Sequence, residues 1–334
     1  MTPAVLLLGY ALLMSTAGSW ALRRARWPHR SPRLGVAAWQ AASLSALTAT
    51  GLAGFVLLLP GSPLSVVAAR AAHACVAAFD AAYAAPGGST AGALVGAVLV
   101  GAVVRCGVLL GHDLWAGRRE RGRQRRMLML VARPAGALDA LVLDHEAVAV
   151  YCLPGRGGKV VFTTAALSAL GTRERRAVLA HELAHLRQHH HLVVAAARAL
   201  RRGFPGVPLL RAAETEIAVL VEMVADDVSA RHGDRHSVAS ALRALQTFSS
   251  PHQPVEGQAT GAATGQTARS ALVPRLHHLL SPAQPARAAV LGARGVVIAA
   301  SLILPVVLAV TPAAAAAQTG LCPVPAAPQL LPHR

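Results

Sequence analysis

Residues 181–185 read His-Glu-Leu-Ala-His, inside a helical pattern that runs from about residue 173 to residue 201. Side chains four positions apart on an α-helix share one face. His181 and His185 can therefore bind the same metal ion, and Glu182 lies beside the first ligand, where it can accept a proton from an attacking water. The spacing predicts a zinc-binding helix with Glu182 as the catalytic base of a hydrolysis.

A catalytic zinc ion usually has three protein ligands, so a third residue has to come from another part of the chain. Glu222 and Asp226 are four residues apart in a second predicted helix, residues 211–232. Because Glu222 lies among valines and a leucine, where an unpaired carboxylate would be costly, we favour it as the third ligand. Asp226, on the same face, would then orient a ligand histidine through its ring N–H.

His191 is the alternative third ligand, since it has the spacing of the last histidine in the pattern HExxHxxGxxH. That pattern contains a glycine that turns the chain back toward the metal, but the position is Gln188 here and the helical pattern continues. On a straight helix His191 would lie about 9 Å beyond His185 along the axis. We therefore interpret residues 189–191 as polar residues of one long helix.

The composition predicts a membrane protein. The chain is 54% hydrophobic and 14% charged, against about 25% charged residues in soluble proteins. A net charge of +17 can indicate nucleic-acid binding, but the arginines flank apolar blocks and no basic–aromatic interleaving appears, so we expect a lipid bilayer and no direct nucleic-acid partner. Four blocks approach the ~20 residues that a membrane helix needs: residues 4–21, 35–60, 90–112 and 294–316.

The arginines also predict the orientation. The loop after the first block and the stretch after the third are rich in arginine, whereas residues 61–89 carry only Arg70 and Asp80 as charged residues. By the positive-inside rule both termini are extracytoplasmic. Cys75 and Cys322 would then lie on the same side, and a disulfide between them stays an open alternative. The predicted organisation is three spans in residues 1–117, a cytoplasmic peptidase domain in 118–293, a fourth span in 294–316 and an extracytoplasmic tail in 317–334.

The cytoplasmic segment is predicted to form an α+β domain. Four stretches favour β-strands: residues 127–132, 140–143, 147–153 and 160–163. Residues 154–158, Pro-Gly-Arg-Gly-Gly, predict a hairpin between the last two strands. The two long helices follow, and then a flexible loop at residues 249–270 and a short helix at residues 272–280.

Three stretches resemble the M56 family of membrane metallopeptidases: residues 160–167 (Val-Val-Phe-Thr-Thr-Ala-Ala-Leu), 177–185 (Ala-Val-Leu-Ala-His-Glu-Leu-Ala-His) and 221–227 (Val-Glu-Met-Val-Ala-Asp-Asp). Arg275 and Leu276, before the last span, resemble a weaker element of the family. The resemblance extends over nearly the whole chain and implies a gluzincin-like site, with His181, His185 and Glu222 as zinc ligands and Glu182 as base. Antibiotic-sensing members carry a penicillin-binding sensor domain after the fourth span, and we expect that domain to be lacking here.

We therefore expect a membrane-embedded zinc endopeptidase that hydrolyses a protein or peptide at the cytoplasmic face in regulatory proteolysis and signal transduction. The resemblance implies a transcriptional repressor as one substrate. Peptidase family M48, which shares the order strand, hairpin and HExxH, ranks second and implies membrane quality control. A non-catalytic membrane signalling protein that keeps the fold is a further alternative. An edge strand at residues 147–153 would bind substrate by strand addition, and the candidate oxyanion stabilisers are Arg231, His232 and His236.

Overall fold

The computed structural model describes residues 3–60, 62–72, 76–84, 89–136, 138–155, 157–248, 265–281 and 288–318. These residues form two compact units. The first contains the described residues of Met1–Met14, Leu44–Val104 and Ala299–Arg334. The second contains those of Ser15–Ser43 and Arg105–Ile298, and it includes every candidate site residue.

The described chain is largely helical. Its helices are α1 (Pro3–Leu13), a π-helical turn (Met14–Gly18), α2 (Ser19–Arg24), α3 (Trp27–Arg30), α4 (Pro32–Leu58), α5 (Pro63–Ala71), α6 (Val76–Ala82), α7 (Ser89–Val131), α8 (Thr164–Ala169), α9 (Thr172–Arg187), α10 (His190–Gly203), α11 (Pro208–His232), α12 (Arg235–Phe248), α13 (Gly265–Leu280) and α14 (Ala288–Gln318). The strands are β1 (Arg133–Pro134), β2 (Leu141–Leu143), β3 (Val150–Leu153) and β4 (Lys159–Thr163).

Four helical stretches are long and apolar enough to cross a membrane, with mean hydropathy between 1.6 and 2.4. They coincide with the four apolar blocks of the sequence, and they support a membrane protein. The orientation stays a prediction. Cys75 and Cys322 both lie outside the described residues, so the predicted alternative of a disulfide between them stays open. The stretches are Pro3–Arg24, Pro32–Leu58, Thr90–Val131 and Val290–Ala315.

Close helix packing in the first unit depends on small and polar residues. A Cβ added to Gly54 would lie 2.9 Å from the Gly96 carbonyl oxygen, and one added to Gly96 would lie 2.7 Å from that of Gly54. Glycine therefore permits the backbones of α4 and α7 to touch, as small residues do in membrane bundles. The Tyr10 hydroxyl donates to the Ser301 carbonyl at 3.0 Å and lies 2.6 Å from Ser45 Oγ.

The second unit contains a small mixed sheet of order β1-β2-β4-β3. β2 and β4 are parallel, and the other neighbours are antiparallel. The predicted hairpin joins β3 to β4, and Gly157 adopts φ +62°, a left-handed conformation that favours glycine. Val160 and Phe162 of β4 are fully buried. Within the described part of the chain β3 pairs only with β4, so its other side is a sheet edge.

Helices α9 and α11 pack against each other beside this sheet. α9 begins where the Glu174 carboxylate accepts a hydrogen bond from the Gly171 N–H at 2.8 Å, which satisfies a free donor at the helix N-terminus. Its apolar face, with Val178, packs in the cluster that contains Phe162. Farther along, the buried Ser229 hydroxyl of α11 donates to the carbonyl of Ala177 at 2.6 Å. This bond fixes the distance between the two helices next to the candidate site.

Two predicted elements are wrong, and one lies partly outside the described residues. Residues 127–132 are not a strand, because α7 continues to Val131 through a stretch rich in the helix formers Arg, Gln, Met and Leu. The predicted helix over residues 173–201 is two helices, because the chain turns at His189, which has φ +52°. Of the predicted loop, residues 249–264 lie outside the described residues, and residues 265–270 begin α13.

Replacing Ser229 by alanine should destabilise the second unit. The change removes a buried hydrogen bond between α11 and α9, at a cost of about 0.5–1.5 kcal/mol in unfolding free energy, while the Ala177 carbonyl keeps its bond within α9. The measurement is thermal unfolding in detergent micelles, with Ser168→Ala as matched control, because the exposed Ser168 hydroxyl bonds only to its own helix. Equal melting temperatures for the two variants would contradict a structural role for the Ser229 bond.

Candidate metal centre

Three side chains from two helices converge in the second unit. His181 and His185 come from α9, and Glu222 comes from the middle of α11. The two histidine Nε2 atoms are 3.1 Å apart. Glu222 Oε2 lies 3.4 Å from Nε2 of His181, and its Oε1 lies 3.5 Å from Nε2 of His185. One ligand atom from each residue lies within 4.8 Å of the other two, so the three side chains can hold one metal ion.

The separations between these atoms fit a tetrahedral zinc ion. Zinc–nitrogen and zinc–oxygen bonds of about 2.0–2.1 Å place neighbouring tetrahedral ligands about 3.3–3.4 Å apart. The Nε2–Nε2 separation of 3.1 Å is close to that edge length, and Glu222 places Oε2 3.4 Å from Nε2 of His181 and its other oxygen, Oε1, 3.5 Å from Nε2 of His185. Two imidazoles and one carboxylate are also the donor set of one class of catalytic zinc site.

Asp226 and Arg275 form a buried charge pair behind the ligands. Asp226 is fully buried, and its Oδ1 lies 3.0 Å from Nδ1 of His181. Arg275 of α13 donates to both carboxylate oxygens, through Nε at 2.8 Å and Nη2 at 2.7 Å. Its Nη1 also lies 3.0 Å from Glu222 Oε2. The guanidinium therefore holds the two carboxylates of α11 in place, and Asp226 fixes the ring of His181.

These contacts change the protonation of the cluster. Burial alone would raise the pKa values of Asp226 and Glu222, but the Arg275 charge, together with the nearby histidines, holds both below their ordinary values. Burial lowers the pKa of His181, yet its hydrogen bonds to Asp226 and Glu222 outweigh burial and raise the pKa to about 10. Burial lowers the pKa of His185 to about 4, so this ring is neutral at pH 7.

Glu182 lies beside the ligands in a different electrostatic environment. Burial raises its pKa above the ordinary value, and the negative charge of Glu222 acts in the same direction. Burial and contact with the nearby Glu182 carboxylate raise the pKa of the Cys152 thiol on edge strand β3. A carboxylate with a raised pKa is a better proton acceptor, which suits a general base. The same contact places β3 directly next to Glu182.

The helix break at His189 brings His190 to the site. His190 is 5% exposed, and its Nδ1 lies 3.1 Å from Nδ1 of His185. The interpretation of residues 189–191 as polar residues of a straight helix is therefore wrong for His190. Since His185 would bind metal through Nε2, its Nδ1 carries the proton and donates to the neutral His190 ring. His191 has a buried Nδ1 that makes no hydrogen bond to a described group.

The candidate oxyanion stabilisers are exposed and remote. The side chains of Arg231 and His232 bond to carbonyls one turn back on α11, at 3.2 Å to Asp227 and 2.9 Å to Val228. Both lie nine or more residues beyond Glu222 on the same helix, about 14 Å along its axis. His236 is exposed at the start of α12.

Sequence reasoning missed the roles of Arg275, His190 and Cys152. Arg275 had a signal, because it resembled a weaker family element, but that resemblance gave no contact for it. The role of His190 was missed because a straight helix would point this side chain away from His185. Cys152 stands on a predicted strand with nothing in its spacing to connect it with Glu182.

Comparison with known proteins adds one finding. Residues 119–282 match the family model of peptidase family M48, a range that contains the sheet, all three candidate ligands, Glu182 and Arg275. Neither a curated protein sequence nor a solved structure matches the chain. The family match supports a zinc metallopeptidase, and M48 peptidases are generally zinc-dependent. M48 is the family that the sequence ranked second.

Replacing His190 by alanine should weaken zinc binding without abolishing it. The His185 ring would lose the partner that fixes its orientation, and loss of such a partner typically costs about 10–100-fold in metal affinity. The measurement is competition for zinc with a chromophoric chelator. His191→Ala is the matched control and should bind zinc as the wild type does, whereas Glu222→Ala should lose zinc. Equal affinities for the His190 and His191 variants would contradict the orienting role.

Zinc binding at pH 7 should release about one proton per ion. His181 is doubly protonated below its pKa of about 10 and must lose one proton to become a ligand, whereas His185 is already neutral. Zinc affinity should therefore rise with pH up to about 10. Titration calorimetry in buffers of different ionisation enthalpy counts the protons. Using Glu182→Gln removes the base's own titration, and a release near zero would contradict the protonated state of His181.

Proposed function

We propose that this protein is a membrane zinc endopeptidase in which His181, His185 and Glu222 bind the metal and Glu182 is the general base. The observation that carries the proposal is the convergence of two histidines and one carboxylate, with one ligand atom from each within 4.8 Å of the others. The match of residues 119–282 to peptidase family M48 supports the same activity. The four apolar helices support its location in a membrane.

Zinc held by the three ligands would supply a Lewis acid that polarises the scissile carbonyl and acidifies the attacking water. Glu182 accepts the proton of that water and then passes it to the leaving amine. Its raised pKa favours the first transfer, and its position next to His181 in the sequence keeps the carboxylate beside the metal ligands. Asp226 keeps the His181 ring oriented, and Arg275 keeps Asp226 and Glu222 fixed.

β3 is the element best placed to hold a substrate. One side of the strand is unpaired within the described chain, so an extended peptide can add to it through backbone hydrogen bonds. Cys152 of this strand lies close enough to Glu182 for each group to shift the pKa of the other, so a peptide along β3 would pass near the base. Backbone binding of this kind is tolerant of substrate sequence, because it leaves specificity to alternate side chains.

The cellular role follows from which proteins reach this site. Cleavage of damaged membrane proteins, as in M48-type quality control, and regulatory cleavage of a transcriptional repressor would use the same residues. The M48 match is at least as consistent with the first role. The arginine distribution favours a cytoplasmic peptidase domain with extracytoplasmic termini, so both kinds of substrate would be cleaved at the cytoplasmic face.

Replacing Glu182 by glutamine should abolish proteolysis while zinc stays bound. The amide cannot accept the proton, and loss of a general base lowers the rate by about 10²–10⁴-fold. The measurement pairs metal content with cleavage of an unfolded reporter protein such as casein by the purified full-length chain in detergent. Glu146→Gln, which removes an exposed carboxylate elsewhere in the same unit, is the matched control and should cleave at the wild-type rate.

Equal cleavage by the wild type and the Glu182 variant would overturn the catalytic assignment. A wild type that binds zinc stoichiometrically but cleaves neither reporter nor itself would instead favour the non-catalytic membrane signalling protein.

A further inference from the structure

A second cavity, distinct from the metal centre, lies in the second unit and has a volume of about 1050 Å³. One wall is the segment from the end of α2 through α3, and the others are α11, the first residue of α12 and α13. Its lining is dominated by arginines: Arg23, Arg24, Arg26, Arg30 and Arg235. His29, His277 and His278 line it as well.

The cavity has a large excess of positive charge. Against five arginines it contains one carboxylate, Asp227, which already lies 2.9 Å from His278 Nε2 and 4.0 Å from Arg235 Nη2. Within the part of the chain that the structure describes, no salt bridge joins Arg23, Arg26 or Arg30 to a carboxylate, whereas His29 Nε2 lies 3.5 Å from Glu216 Oε2. Cations gathered around a cavity repel one another unless an anion lies between them. Arg23, Arg24, Arg26 and Arg30 are exposed, and the charge distribution around the cavity therefore favours an anionic ligand.

The positions of these arginines in the sequence indicate the level of the bilayer at which the ligand would bind. The first candidate span ends at Arg24 and the second begins at Pro32, so only seven residues, 25–31, connect them. So short a connection keeps its arginines at the level of the lipid headgroups. The Arg24 guanidinium lies 4.6 Å from the ring centroid of Trp20, a residue type that is enriched at the same level of a bilayer.

We infer that this cavity binds the phosphate group of an anionic phospholipid. Guanidinium groups bind phosphate oxygens in a bidentate manner, and basic pockets beside membrane helices recognise lipid headgroups. The lining also has an apolar part, formed by Met223, Val273 and Pro274, and Val273 is 71% exposed. These apolar side chains can contact the glycerol and the first acyl carbons of a lipid. A free phosphate ion has no such groups.

An acidic protein segment is the rival ligand, and two observations disfavour it. The peptide edge of the proposed enzyme is β3, and no residue of β3 lines the cavity. The arginines of residues 25–31 also lie in the short connection between two candidate spans, where anionic lipids would be present at high local concentration.

Lipid binding here would act on the same two helices as the metal centre. Met223 and Asp227 of the cavity wall directly follow Glu222 and Asp226 in α11, and Pro274 directly precedes Arg275 in α13. A phosphate held between the α2–α3 segment and α13 would therefore stabilise the position of α13, which carries the guanidinium that holds both carboxylates. The inference concerns binding alone and does not depend on the proposed proteolysis.

The test measures binding of short-chain lipids to the purified full-length chain in detergent by microscale thermophoresis. The probes are dihexanoyl phosphatidic acid, dihexanoyl phosphatidylcholine, glycerol 3-phosphate, inorganic phosphate and a hexaglutamate peptide. The variant is Arg26→Gln with Arg30→Gln, and the matched control is Arg118→Gln with Arg123→Gln, which removes two exposed arginines from α7. Wild-type melting temperature in both variants establishes that they are folded.

We expect saturable binding of dihexanoyl phosphatidic acid, with at least about tenfold weaker binding of the phosphatidylcholine, because its phosphate charge is compensated. The cavity variant should weaken phosphatidic acid binding by at least about threefold relative to the α7 control, because charge-assisted bonds to phosphate are lost. A smaller difference overturns the site. Tighter binding of inorganic phosphate or glycerol 3-phosphate than of the lipid overturns a lipid source, and tighter binding of hexaglutamate shows that the ligand is an acidic protein segment.

Discussion

The ion pair between Asp226 and Arg275 is the interaction on which the second unit depends. A fully buried carboxylate is tolerated only when it is paired and hydrogen-bonded, because the loss of hydration is otherwise uncompensated. Here the pairing is bidentate, and the same carboxylate also accepts the ring N–H of His181. One buried charge thus connects α9, α11 and α13, three helices that are far apart in the sequence.

This arrangement explains how the protein's own contacts hold the candidate ligands together. The two histidines lie one turn apart on α9, which fixes their mutual position, but the distance of Glu222 from them depends on how α11 packs. Ser229 sets that packing through its bond to Ala177, and Arg275 then holds the Glu222 carboxylate at its observed place. Rigid helices and a paired second layer of charge reduce the reorganisation that metal binding requires.

Much of the site was predictable because helical spacing is a local property. The pairs His181 with His185 and Glu222 with Asp226 follow from the four-residue period, and the apolar environment of Glu222 follows from its neighbours. The four candidate membrane helices and the β3–β4 hairpin follow from composition and glycine in the same way. What could not be predicted depends on tertiary contacts. No glycine or proline marks the turn at His189 in the sequence. The residues of α7 at 127–131 also have a pattern that favours a strand. The partner of Asp226, Arg275, lies 49 residues away along the chain.

The geometry of α11 allows one helix to serve two sites. Successive residues on an α-helix point about 100° apart, so Glu222 and Asp226 share one face while Met223 and Asp227 share the next. The first face carries the candidate metal ligand and its charge partner, and the second lines the arginine-rich cavity. α13 contributes to both sites: Arg275 bonds to Asp226 at the candidate metal centre, and Pro274 and His278 line the cavity. Because packed helices shift as units, the position of α13 cannot change at the cavity without also changing the contact of Arg275 with Glu222 and Asp226. An anion bound in the cavity would therefore act on the candidate metal centre through α13.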